Sequence, residues 1–392
     1  MIIKKDNSAV IDEIYYVLLK LTRILCFASL FIPILSCLHT VFGTLASTQY
    51  ASEYCTATYY ITYMNGVRSR ALLGTLFSFL FPDKYFMLFT CIFWHITEEI
   101  IVIILYLRVY PLFLKNSPFA VLYGILLTAI SFFPMISTLF QLRSDLYLIL
   151  CYAFCIILLN GKKNKPFVTI ILCSMLSSLG IMIHPVFFLS YVPFLIILIK
   201  KKYSLKKSLL YLFLLGFSVL FIISQPKADF SSLSRAVHLA QDHTDYNKHI
   251  QRFMLSGVES PVHISDTTDS FLYSSYCSNE TFIPTWRLAS VFSKEFIKGC
   301  IRYMLSFLPM LIPSFLTAVW LFWRSSDRFR LVILLFYGFL FLTQLDFIRW
   351  IMMFISGSIF LDAPQKEPSR NVFFIICIFH CLSVFFSMRA LI

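Results

Sequence analysis

Seven ionisable residues in this chain stand at positions where a hydrophobic sequence tolerates charge only for a use. Arg68 and Arg70 lie in N-G-V-R-S-R, Arg143 and Asp145 in L-R-S-D, His184 in I-H-P-V, and Asp346 and Arg349 in D-F-I-R-W. Guanidinium groups pair with phosphate through parallel N–H···O bonds. A helix opening at Ala71 would add backbone donors for the same anion. Arg68 and Arg70 therefore read either as a clamp on a pyrophosphate or as interfacial arginines on lipid headgroups. Asp145 is either a general base for a hydroxyl, an acceptor that positions it, or the ion-pair partner of Arg143. A histidine at His184 suits acid–base work, or it is a satisfied structural group beside a proline that breaks a helix. Asp346 and Arg349 are three apart and share a helical face. They form either a buried ion pair that sets packing or a substrate-recognition pair. Arg235, Arg252 and Arg287 lie in the longest polar segment, where they would hold an anionic or sugar substrate.

The elements that must carry these groups are apolar. Of 392 residues 59% are hydrophobic and 14% charged, and the mean hydropathy is +0.79. A water-soluble domain of this length needs more polar surface, so the bilayer is the expected solvent. A spanning helix needs about 20 apolar residues. Candidates lie near 24–46, 84–107, 118–140, 145–160, 166–183, 186–199, 206–224, 300–323, 329–345, 347–361 and 371–389. The expected fold is all-α, a polytopic transmembrane bundle of about 11 (10–12) helices, with residues 1–392 forming one integral membrane domain. Several candidates are short, so neighbouring pairs are read as broken or re-entrant helices. The basic start from Met1 to Lys5 is not followed by a short apolar run with a small-residue cleavage site, so the first apolar segment is expected to be a retained anchor.

The net charge of +13 is a topology signal. With the N-terminus in the cytoplasm, the inner segments hold 19 of the 33 basic residues and six of the 20 acids, which accounts for all of it. A nucleic-acid partner is thereby disfavoured. Five lysines, Lys200 to Lys202 with Lys206 and Lys207, would otherwise crowd one short outer hairpin. The seven residues above then fall at the outer ends of spans. Two outer regions remain. Residues 47–84 form a first outer loop, whose apolar run at 71–81 is too short to span and reads as a re-entrant or interfacial helix. Residues 225–298 form one large extracytoplasmic, periplasmic loop expected to hold short amphipathic helices.

Other chemistry is less marked. The eleven cysteines show no C-x-x-C spacing, and Cys55 and Cys277, both in outer loops, would be free to pair in an oxidising compartment. His238, His243 and His249 with Asp242 and Asp245 lack metal-ligand spacing and read as a solvated face. His95, Glu98 and Glu99 fall inside a span, as a structural pair (with a partner such as Arg23) or as a proton relay. Walker A, G-x-S-x-G and dinucleotide motifs are absent from the sequence.

In order, N-G-V-R-S-R-A-L-L-G, L-R-S-D, I-H-P-V-F-F and D-F-I-R-W resemble the motifs of Wzy-type O-antigen or capsule repeat-unit polymerases and related membrane glycosyltransferases. The sequence departs from that pattern where Ser69 splits the basic pair, Leu142 replaces a glycine and Pro185 replaces a glutamate. The resemblance implies a metal-independent glycosyl transfer without cofactor at the periplasmic face of a bacterial inner membrane. A chain on undecaprenyl pyrophosphate would move to the non-reducing sugar of a new lipid-linked repeat unit. Arg68 and Arg70 would hold pyrophosphate, and Arg143 with Asp145 would contact substrate. His184 or Asp346 would serve as base, Arg349 orienting Asp346. Membrane lipid is an implied partner; a chain-length regulator is left open.

Two rivals stand beside it. A GT-C-type transferase using a polyprenyl-phosphate donor usually carries a carboxylate motif in the first outer loop, where Glu53 is the only acid before Arg68. A lipid-linked glycan transporter or flippase would show matching halves, and no internal repeat is found.

Overall fold

The computed structural model describes residues 3–46, 59, 63, 71–81, 86–136, 143–161, 165–224, 312–324, 330–343, 347–361, 369, 372–378 and 380. These are 92% helical, with no strand among the described residues. Helix α1 (Ile3–Ala28) passes through a 3-10 turn (Ser29–Phe31) into α2 (Ile32–Ala46). Next come α3 (Ala71–Leu80), α4 (Phe86–Leu114), α5 (Pro118–Ile136) and α6 (Asp145–Asn160). They are followed by α7 (Pro166–Ile183), α8 (Val186–Ser190), α9 (Val192–Lys202) and α10 (Leu205–Ser224). Helix α11 covers 312–324, α12 is Arg330–Thr343 and α13 is Phe347–Ser358.

Among the described residues, three stretches are long and apolar enough to cross a membrane: Asp12–His39, Leu88–Leu114 and Pro166–Ile183. The first starts well before the expected residue 24. Asp12, Glu13, Lys20 and Arg23 lower the local average, but they interleave with the exposed apolar residues Ile14, Val17 and Leu21 on one continuous helix. The run expected as a single helix at 186–199 is instead α8 and α9, parted at Tyr191. The 11 residues of α9 rise only about 16 Å.

The chain divides into two compact units, one of Met1–Ile34, Glu98–Ile136 and Ala289–Ile392, the other of Leu35–Thr97 and Ser137–Leu288. In the first unit α5 is buried along most of its length. Helix α1 crosses it at Gly124, where a Cβ would come 2.5 Å from Thr22 Cγ2 and 2.9 Å from Cys26 Sγ, so only a missing side chain allows the approach. The turn from α4 to α5 is a Schellman motif. Asn116 takes a left-handed conformation (φ 48°), its amide donates to the Phe113 carbonyl, and the Ser117 amide donates to the Leu112 carbonyl. Ser117 Oγ then accepts from the Phe119 amide, and Pro118 opens α5. The Tyr123 hydroxyl donates to the Leu361 carbonyl at 3.0 Å, tying α5 to the chain beyond α13.

In the second unit α6 and α7 run antiparallel, with α9 and α10 packed against them and α3 against α7. Hydroxyls bond between helices: Ser177 with Tyr211 at 2.7 Å and Ser178 with Ser218 at 2.6 Å. Such bonds hold helices together where apolar surroundings remove the hydrophobic drive. The outward faces are apolar. Phe213 and Leu220 of α10 are each 64% exposed. A surface of that kind, continuous along helices, is costly in water.

Candidate active site at one end of the α6–α7 pair

Helix α6 runs away from Asp145 and α7 returns to Ile183, so Asp145 and His184 occupy the same end of the pair. The turn at Gly161 and Lys165 occupies the other. The 16 residues of α6 separate these ends by about 24 Å.

Arg143 is fixed through its backbone. Its carbonyl accepts the indole N–H of Trp94 at 2.8 Å, and Trp94, on α4, is 1% exposed. The Ser144 carbonyl accepts the Tyr147 amide at 3.1 Å and starts α6. Asp145 thus lies in the first helical turn, where the helix dipole favours its negative charge. An aromatic cluster underlies this turn. Tyr147 lies parallel to Phe93 (6.3 Å, 16°) and edge-on to Phe77 (6.1 Å), and Phe77 is stacked on Tyr59 (5.7 Å, 8°). The Tyr63 amide donates to Thr75 Oγ1, which donates to the Ala71 carbonyl, tying Tyr63 to α3. The short apolar run at 71–81 is helical as expected.

His184 ends α7 in an extended conformation, its amide donating to the Gly180 carbonyl at 2.9 Å. Its Nδ1 accepts the Val186 amide at 3.1 Å. An acceptor nitrogen carries no proton, so the neutral ring bears its hydrogen on Nε2. In that state the ring offers a donor at Nε2 and has no lone pair there to act as base. Helix α8 folds back because Gly180 leaves room for the Phe187 ring; a Cβ at Gly180 would meet that ring at 2.6 Å. Tyr191, between α8 and α9, stacks on Tyr152 of α6 at 4.7 Å.

Within the first unit, Arg349 is buried in the first turn of α13, with its guanidinium 5.3 Å from the centre of the Trp350 ring. On α4, His95 and Glu98 are buried and Glu99 is half-buried; Arg23 on α1 is exposed. Arg68, Arg70, Asp346, Arg235, Arg252, Arg287, Cys55, Cys277 and the whole of 225–298 lie outside the described residues. Among the described residues no three His, Cys, Asp or Glu side chains gather as a metal site.

Three contributors escaped the sequence reading: Trp94, Gly180 and Phe187. A lone tryptophan inside an apolar run and a lone glycine near a helix end carry no signal of their own. Replacing Trp94 by phenylalanine keeps the ring and removes the donor. The Arg143 carbonyl then loses the indole donor of a part-buried bond, a loss of about 1 kcal/mol. A lowered unfolding midpoint of the purified protein is the expected result; an unchanged midpoint would mean that the bond does not hold the L-R-S-D segment.

Comparison with protein-family models, curated proteins and solved structures yields no match.

Proposed function

We propose that this chain is a polytopic membrane glycosyltransferase. It polymerises undecaprenyl-pyrophosphate-linked repeat units into O-antigen or capsular polysaccharide at the periplasmic face of a bacterial inner membrane. The observation that carries the reading is the placement of Arg143, Asp145 and His184 at one end of the α6–α7 pair, with the lysines at the other. Basic residues collect on the cytoplasmic side of membrane proteins, so the end with the acid and the histidine is the periplasmic one. In this reading Asp145 accepts the proton of the attacking sugar hydroxyl while His184 Nε2–H donates a hydrogen bond to the substrate. Arg143 supplies positive charge toward the pyrophosphate leaving group, with Arg68 and Arg70 as further ligands of it. Asp346 is the second candidate base and Arg349 its positioning group.

Deleting the gene in its native host and separating the lipopolysaccharide or capsule on a gel tests this. Loss of the long ladder with core plus a single repeat unit retained is the expected outcome. Loss of the single unit as well would assign an earlier transferase or flippase, and an unchanged pattern would remove the glycan reading.

A further inference from the structure

We propose that the lysine end of the second unit binds the headgroup of an anionic phospholipid carrying two phosphates. The inference rests on the bilayer placement above and is independent of the polymerase chemistry. Six lysines among the described residues lie at this end. Lys200, Lys201 and Lys202 end α9, while Lys165 precedes α7 and Lys206 and Lys207 open α10. No acid occurs in the sequence between Asp145 and Asp229. Two helix N-termini and two C-termini converge at this end, and their dipoles oppose one another; the lysines set the sign.

The arrangement is built rather than loose. Lys202 Nζ donates to the Gly161 carbonyl at 3.3 Å and lies 5.5 Å from the centre of the Tyr203 ring, joining the α6–α7 turn to the α9–α10 turn. Lys207 Nζ sits 5.7 Å from the centre of the Phe167 ring, joining α10 to α7. Ser204 Oγ accepts the Lys207 amide and Ser208 Oγ donates to the Ile196 carbonyl, which holds the α9–α10 hairpin. Lys165, Lys201 and Lys206 remain exposed. The buried Tyr203 hydroxyl has no hydrogen-bond partner among the described residues, and a phosphate oxygen would supply one.

The surroundings select a lipid over a water-soluble polyanion. Phe167, Val168, Leu205 and Leu209 are exposed beside the lysines. Acyl chains would cover these side chains while the headgroup meets the ammonium groups, whereas a soluble anion would leave them in water. Lysines at the end of α9 and at the start of α10 offer two places for a phosphate, which a headgroup with two phosphates fills.

The test uses the full-length protein purified in a neutral detergent. It is titrated with cardiolipin and with phosphatidylcholine, and retained lipid is counted by native mass spectrometry. Cardiolipin is expected to bind at least about tenfold more tightly. At about fivefold per lysine, the double variant Lys165→Gln, Lys206→Gln weakens that binding about 25-fold while its unfolding midpoint is unchanged. Equal retention of both lipids, or undiminished binding by the variant, overturns the proposal. Displacement of cardiolipin by an equimolar amount of inorganic pyrophosphate also overturns it, since the site would then read a free anion. A protein washed from membranes by carbonate would remove the bilayer placement itself, and this site with it. A failed polysaccharide assay with lipid selectivity intact leaves the lipid site standing.

Discussion

Asp145→Asn is expected to collapse the polysaccharide ladder to core plus a single repeat unit, with the protein still present in the membrane at its normal level. The change removes a proton acceptor and preserves shape. General-base catalysis contributes about 10²- to 10⁴-fold, enough to erase long chains on a gel. The structural cost is small by comparison. Asp145 is half-buried in the first turn of α6, where the charge gains from the helix dipole, an interaction worth about 0.3–1 kcal/mol. His184 is the control. Because its Nδ1 takes the Val186 amide, its Nε2 is a donor. His184→Gln supplies an amide donor from a similar position and is expected to keep far more polymer than His184→Ala. If Asp145→Asn left the ladder intact while Asp346→Asn removed it, the base would be Asp346. If neither mattered, the glycosyl-transfer chemistry would have to be assigned elsewhere.

The all-α class was legible in the sequence because apolar runs and their interruptions obey simple physics. Pro118 and Pro166 open helices where a proline needs no amide donor, and the break at His184-Pro185 falls where the ring cannot continue α7. The start of the first span was not legible, since charges interleaved on an amphipathic helix hide its apolar face from a sliding average. Nor was the hydrogen bonding of His184. Whether a histidine is base or donor depends on a single amide two residues on, and only the extended conformation of His184 brings the Val186 N–H to Nδ1. The indole of Trp94 and the carbonyl of Arg143 are 49 residues apart, a pairing that no local pattern announces. Lysine clustering, in contrast, is a compositional fact. The fold adds that the α6–α7 and α9–α10 turns share one end, with Lys202 bridging them.

Gly180→Val is expected to disable the protein from a position that touches no substrate, and Phe187→Ala in the same chain is expected to restore it in part. The glycine lies under the Phe187 ring, with three ring atoms within 2.6–2.8 Å of where a Cβ would stand. The ring cannot slide freely, because it is also 5.3 Å from Tyr191, which is stacked on Tyr152. A branched side chain at Gly180 therefore pushes α8 away from α7, and His184 lies in the two-residue link between them. Overpacking of this kind costs about 1–3 kcal/mol, and displacing the imidazole removes a donor from the site. Phe187→Ala alone loses a fully buried ring, about 3–5 kcal/mol. In the double variant the valine occupies part of the vacated space, so the two losses should add to less than their sum, a coupling of about 0.5–3 kcal/mol. Unfolding midpoints of the two single variants and the double variant measure that coupling. Simple additivity would mean that the close approach of Gly180 to Phe187 does not govern the break at His184. Coupling in stability accompanied by recovery of the ladder would tie the position of α8 to chain growth.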